Sequence, residues 1–117
     1  MTTFGRYVRQ RREGLRATDP AFSLRKVAAR IGVQPSFLSK VERDQDSPPS
    51  EEKIRALAHV LEEDPDVLLA LAGKISSDLQ QAIRRRPQLF SRLIRELKDL
   101  PDRAVEQIAR EVRDGKW

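Results

Sequence analysis

The chain has 117 residues, no cysteine, one histidine, and 23 Lys/Arg against 18 Asp/Glu, a formal charge of +5. This length allows one compact domain plus an appendage; the absence of cysteine excludes a disulfide framework, and a lone histidine excludes a His/Cys zinc centre within one chain. The longest apolar run, Val67 to Ala72, is six residues, too short to span a membrane, so a cytoplasmic protein without a signal peptide is expected.

The first predicted element is a helix carrying Phe4, Val8 and Leu15 on one side, with Tyr7 beside them. Arg6, Arg9, Arg11, Arg12 and Arg16 lie on the same helix. They either approach a polyanion or only keep the surface solvated. Ala17 to Ala21 reads as an extended linker.

The most informative stretch follows, Phe22 to Asp44, read as two short helices joined by a glycine turn. Ser23 can cap the first of the pair, and Phe22 with Val27 has the spacing of a hydrophobic staple. Val27, Ala28 and Ile31 mark its buried stripe. Gly32 can end that helix in the left-handed conformation at little steric cost. Val33 plugs the turn, and Pro35 suits the first turn of the next helix. Leu38 and Val41 face inward there, leaving Gln34, Ser36, Ser39, Lys40 and Arg43 outward. These are the residue types that groove reading uses: Lys and Arg for guanine edges and phosphates, Gln for adenine, Ser for several partners. Phe37 lies at the boundary, against a thymine methyl or over the core.

Asp46-Ser47-Pro48-Pro49 is a loop, because consecutive prolines oppose a helix. Ser50 caps a fourth helix whose first turn holds Glu51 and Glu52, favourably placed near the positive helix end. Ile54, Leu57, Ala58 and Leu61 form its inner stripe. Asp64-Pro65 starts a fifth helix that ends at Gly73, with Leu68, Leu69 and Leu71 facing the core or a partner. Glu62, Glu63, Asp64 and Asp66 form an acidic turn that lacks the spacing of a calcium loop, and solvation explains it better than a metal.

Charge is unevenly spread. Residues 1–49 carry +5, residues 50–72 carry −4, residues 73–86 carry +3 and residues 87–117 carry +1. The basic end is the end with the paired helices, which favours a polyanion there.

Residues 74–117 form a second, helical unit. Ser77 and Gln80 have capping-box spacing, and Leu79 and Ile83 begin a stripe. Arg84-Arg85-Arg86 before Pro87 reads as a basic helix end or a flanking phosphate contact. Leu89, Phe90, Leu93, Ile94 and Leu97 form the next apolar face, and Val105, Ile108, Ala109 and Val112 the last. Three short helices cannot bury this surface among themselves. They pack on the first domain or on a second copy, and dimerisation is the favoured expectation, with Leu89, Phe90, Leu93, Ile94, Leu97, Val105, Ile108 and Val112 at the interface.

The Phe22–Asp44 segment resembles the helix-turn-helix of lambda-repressor-like, Cro/C1 or XRE-family regulators. The residues that carry the likeness are Leu24 through Ala28, Gly32-Val33, Pro35-Ser36, Leu38-Ser39-Lys40 and Val41-Glu42-Arg43. It extends over about residues 4–72 and implies an all-α protein: a five-helix DNA-binding domain, residues 1–73, followed by a small C-terminal helical dimerisation unit, residues 74–117. Two positions depart from the family pattern. Leu24 stands where the family usually has glutamine, and Asp44 where it usually has glycine, so a phosphate contact is lost or passes to Arg25, and the exit turn differs. The resemblance implies base reading by Gln34, Ser36, Phe37, Ser39 and Lys40, phosphate contacts by Arg6, Arg9, Ser23, Arg25 and Arg43, and a structural pair between Arg12 and Glu42.

Ser-Asp-Leu-Gln at 77–80, Ile-Arg-Arg-Arg-Pro at 83–87 and Arg-Glu-Val-Arg-Asp-Gly-Lys-Trp at 110–117 look like short repressors paired with an ImmA/IrrE-type zinc metallopeptidase. In that group the activated peptidase cuts the repressor and the operon is released; some pairs control DNA-damage genes, mobile elements or anti-phage systems. The resemblance implies a scissile bond between about Leu89 and Val112. The expected function is therefore a dimeric repressor on a palindromic operator, with double-stranded DNA as partner and no cofactor, metal or membrane. Two alternatives stay open: an antitoxin whose C-terminal unit masks a toxin, and an adaptor that has lost DNA binding. No catalytic residue is expected, since His59 has no nucleophile arranged around it and the five glycines form no phosphate loop.

Overall fold

The side-chain hydroxyl of Thr3 accepts from the backbone N–H of Arg6 at 3.1 Å and starts α1, Phe4–Arg16. From there the computed structural model, which describes residues 2–117, is all-α: α2 Leu24–Ile31, α3 Pro35–Glu42, α4 Glu51–Val60, α5 Pro65–Leu71, α6 Ser77–Arg85, α7 Pro87–Leu97 and α8 Asp102–Arg113. No described residue lies in a strand. The chain divides into two units, one ending at Ser76 and one running from Ser77 to Trp117.

In the first unit, α1 to α5 close around one apolar core. Phe4 and Val8 of α1 join Val27, Ala28 and Ile31 of α2, Leu38 and Val41 of α3, Ile54, Leu57 and Ala58 of α4, and Leu68 and Leu69 of α5, all buried. The spacing of these residues at three and four positions is what turns one face of each helix inward. Caps fix the ends. Ser50 Oγ accepts from Lys53 N–H, and Asp64 Oδ1 from Asp66 N–H. Pro35 and Pro65 occupy first helical turns, where a missing N–H is harmless.

Two expectations from the sequence need revision. Ala17 to Ala21 is not an extended linker: Asp19 Oδ1 accepts from Ala21 N–H at 2.9 Å and caps a single 3-10 turn, Pro20–Phe22. The short Asp side chain competes well for local backbone donors, so the chain turns instead of extending. Past Gly73, the Lys74 ammonium donates to the Pro49 carbonyl at 2.9 Å and the Lys74 N–H to Leu69 O at 2.9 Å. Finally, α6 begins at Ser77 itself, so Ser77 lies inside its first turn and not ahead of it.

The second unit consists of α6, α7 and α8, and no residue of the three helices is buried. Leu89, Leu93 and Ile94 on α7 and Val105 and Val112 on α8 are exposed, while Phe90, Leu97 and Ile108 are half-buried.

Candidate nucleic-acid interface

The turn between α2 and α3 is set by backbone chemistry. Ser23 Oγ accepts from Lys26 N–H at 3.3 Å and opens α2. At its other end Gly32 takes φ +74°, and Val33 N–H reaches Ala28 O while Gly32 N–H reaches Ala29 O. This paired closure satisfies carbonyls that a helix end leaves open. A residue from another helix completes it: the Lys53 ammonium of α4 donates to Ile31 O at 3.0 Å and approaches Gly32 O at 3.5 Å. A cation at a helix C-terminus is also favoured by the helix dipole.

On α3, Leu38 and Val41 are buried. Gln34, Ser36, Lys40 and Arg43 are exposed, and Phe37 and Ser39 are half-buried. Phe37 packs against the core, which accounts for its aromatic ring without a base contact. The outward residues thus present one amide, one hydroxyl and two cations from the N-cap to the C-cap of α3, a set suited to base edges and phosphates.

The exit of α3 keeps the geometry that a glycine would give. Asp44 itself adopts φ +58°, Gln45 N–H donates to Lys40 O at 2.8 Å, and the Thr3 hydroxyl donates to Asp44 Oδ2 at 3.0 Å. Asp tolerates the left-handed region better than most side chains, and the Thr3 bond ties the turn to the start of α1. Asp44 thus keeps the left-handed turn that was expected to differ.

Beneath α3 lies a buried ion pair. Arg12 Nε donates to Glu42 Oε2 at 2.7 Å and Nη2 to Glu42 Oε1 at 2.8 Å, while Nη1 donates to Phe22 O at 3.2 Å. Both side chains are almost wholly buried, at 5% and 3% exposure. The hydrogen bonds to Glu42 hold the Arg12 guanidinium above its usual pKa, against the opposing effect of burial. Gly5 lets α1 approach equally closely: a Cβ there would overlap the Val41 carbonyl oxygen and lie 2.7 Å from Asp44 Oδ1.

The arginines of α1 separate by what they touch. Arg11 bonds Leu61 O at 3.0 Å and Glu63 at 3.1 Å, and Arg12 is committed to Glu42, so neither is free for a phosphate. Arg6 and Arg9 are exposed, with Arg9 Nε 3.2 Å from Glu13 Oε1. On α2, Arg25 and Lys26 are exposed beside Ser23 and line one open groove with it. Arg43 Nε donates to Ser39 O at 3.3 Å. Leu24 is half-buried against the core and offers no polar atom. Sequence reasoning missed Lys53, Glu13, Gly5 and Thr3. Gly5 carried a signal as a small residue inside a helix pattern, Thr3 as a capping residue directly before Phe4, and Glu13 as an acid four positions from Arg9; Lys53 carried none.

No group of three or more His, Cys, Asp or Glu among the described residues is arranged to hold a metal ion. No helix of the described residues is long and apolar enough to cross a membrane.

An all-α scaffold that presents one short helix of polar and basic side chains, braced from below by an ion pair, defines a helix-turn-helix protein. The helix-turn-helix domain family model matches residues 3–71, and the chain belongs to that family, as a DNA-binding transcriptional regulator. Its fold is also similar to one chain of a solved SinR protein/SinI protein complex, with a TM-score of 0.51 and 19% identity over 97% of this chain and 98% of that one. No curated protein matches the chain in sequence.

Proposed function

We propose that the chain is a repressor that binds a palindromic operator as a homodimer, using α3 to read bases and its C-terminal unit to pair. The observation that carries this reading is α3 itself: Gln34, Ser36, Lys40 and Arg43 stand exposed on a helix whose underside is fixed by Arg12 and Glu42. In this reading Gln34, Ser36, Ser39 and Lys40 address base edges, with Phe37 bordering them. Arg6, Arg9, Ser23, Arg25 and Arg43 hold the DNA backbone. Ser23 contributes its position at the start of α2, since its side chain already serves as a cap.

The homodimer is supported by the exposed apolar faces of α7 and α8, led by Leu89, Leu93, Ile94, Val105 and Val112. One short helix addresses only a few base pairs; two copies would address half-sites about 34 Å apart along the duplex. Repression follows if the dimer covers a promoter, the protein's own included. Cutting the C-terminal unit with an ImmA/IrrE-like metallopeptidase would then release the operon, because half-site affinities no longer add. The protein would act in the cytoplasm.

A second reading has one observation in its favour. The structurally similar chain comes from a complex between two differently named proteins; in this reading the exposed apolar residues of α7 and α8 meet a different protein, a toxin included.

Deleting residues 87–117 tests the dimer reading. The truncated protein is expected to be monomeric by sedimentation and to bind operator DNA far more weakly. Undiminished operator affinity would contradict it. Ser36→Ala and Lys40→Ala are expected to relax sequence preference; an equal loss on all sequences would contradict their assignment to bases.

A further inference from the structure

Between α1, the start of α2 and the outer side of α3 lies a cleft of about 150 Å³. Its floor is the Arg12–Glu42 pair, and its rim is Arg9, Glu13, Leu24, Ser39 and Arg43. The floor is electrically complete, since each Glu42 oxygen accepts from Arg12. The charges left to act outward are two guanidiniums, Arg9 and Arg43, and one carboxylate, Glu13. Glu13 Oε1 sits 3.2 Å from Arg9 Nε and 4.0 Å from Arg12 Nη2. Arg9 and Glu13 are half exposed, at 53% and 51%, so water screens their pairing and it exchanges readily.

We propose that this cleft seats one backbone phosphate of bound DNA between Arg9 and Arg43, and that Glu13 is its built-in competitor. Unbound, Glu13 occupies Arg9. On binding, the phosphate takes Arg9 and Glu13 turns out to solvent. A guanidinium can meet a phosphate through two parallel N–H bonds, a geometry that rewards the exchange. Leu24 forms an apolar wall that offers the phosphate no rival acceptor. Glu13 therefore holds down the sequence-independent part of affinity, which raises the weight of base contacts in choosing a site. This proposal rests on the DNA-binding reading above and adds to it a residue that weakens binding.

The test uses the full-length protein and fluorescence anisotropy on a duplex of arbitrary sequence, from about 50 to 200 mM salt. Glu13→Gln is expected to bind more tightly at low salt. Its log-affinity should fall with log-salt at the wild-type slope, because Arg9 neutralises the same phosphate in both proteins. Arg9→Gln should erase this gain, so that the double variant behaves as Arg9→Gln alone. A Glu13→Gln affinity equal to wild type overturns the proposal, as does a gain that persists undiminished without Arg9. Should Glu13→Gln disturb folding, judged by its melting, Arg9→Gln and Arg43→Gln provide the second measurement. Each is expected to make the slope shallower by about 0.9, and unchanged slopes in both overturn the proposal. A wild-type protein that binds no duplex at any salt overturns the DNA-binding reading itself; wild-type binding with an unaltered Glu13→Gln affinity overturns the cleft alone.

Discussion

Arg12 of α1 and Glu42 at the end of α3 meet through two hydrogen bonds of 2.7 and 2.8 Å, both side chains buried. The pair joins the first helix to the last turn of the reading helix, and Arg12 also holds Phe22 O ahead of α2. One guanidinium therefore touches three segments that must stay in register if α3 is to meet a groove. Removing either partner leaves a buried charge unmatched. Arg12→Met or Glu42→Met is expected to cost about 3–5 kcal/mol in urea unfolding. The double replacement Arg12→Met with Glu42→Met should cost clearly less than the two single losses added. Additive losses would mean that the two side chains act independently.

Gly5 makes a separate demand on the same helix pair. With the Val41 carbonyl oxygen where a Cβ would stand, any side chain forces α1 off α3. Gly5→Ala would ordinarily favour a helix; here it is expected to destabilise, by about 3 kcal/mol or more, the upper range for overpacking. Gly14 is the control, because nothing lies near its missing Cβ. Gly14→Ala should stabilise slightly. Thermal melting of the two variants checks the contrast.

Lys53 is placed to act through the turn and not on DNA, since its ammonium is bound to Ile31 O. Lys53→Met is expected to lower affinity for a specific site more than for a scrambled one, because the angle between α2 and α3 loosens. Lys53→Arg should recover much of the specific affinity. Equal losses on both duplexes would mean that Lys53 serves general stability only.

Tyr7 introduces a pH dependence. Its hydroxyl donates to Glu63 Oε2 at 3.1 Å. That bond, then burial and the Glu63 charge, raise the phenol above its usual value of 10.0. The folded protein thus holds this proton more tightly than the unfolded chain does. The resulting stability is whole below about pH 10 and is lost as pH rises through the folded value. Tyr7→Phe lacks it. Above about pH 10, wild type should lose stability with pH faster than Tyr7→Phe in parallel urea titrations, whereas parallel curves would contradict the assignment.

How much of this was legible in the sequence varied with the range of the interaction. The α2–turn–α3 segment was readable because its signals are local: Ser23, Gly32 and Pro35 each act on backbone within a few residues. The core stripes followed from helical spacing. What escaped were contacts between residues far apart in the chain. Lys53 reaches back 22 positions to Ile31, and Thr3 reaches 41 positions to Asp44. Arg11 looked like any other arginine of α1 until Leu61 and Glu63 were placed beside it. The Asp19 cap is a local exception, an Asp directly before a first-turn proline.

The most direct test of the account is fluorescence anisotropy of the full-length protein with duplex DNA from upstream of its own gene, beside a scrambled duplex, at two salt concentrations. The account predicts tight binding to the first, much weaker binding to the second, and a salt dependence in both that reflects shared phosphate contacts. Equal, weak and salt-sensitive binding to both duplexes would contradict it: α3 would then be a basic surface and not a reader of sequence.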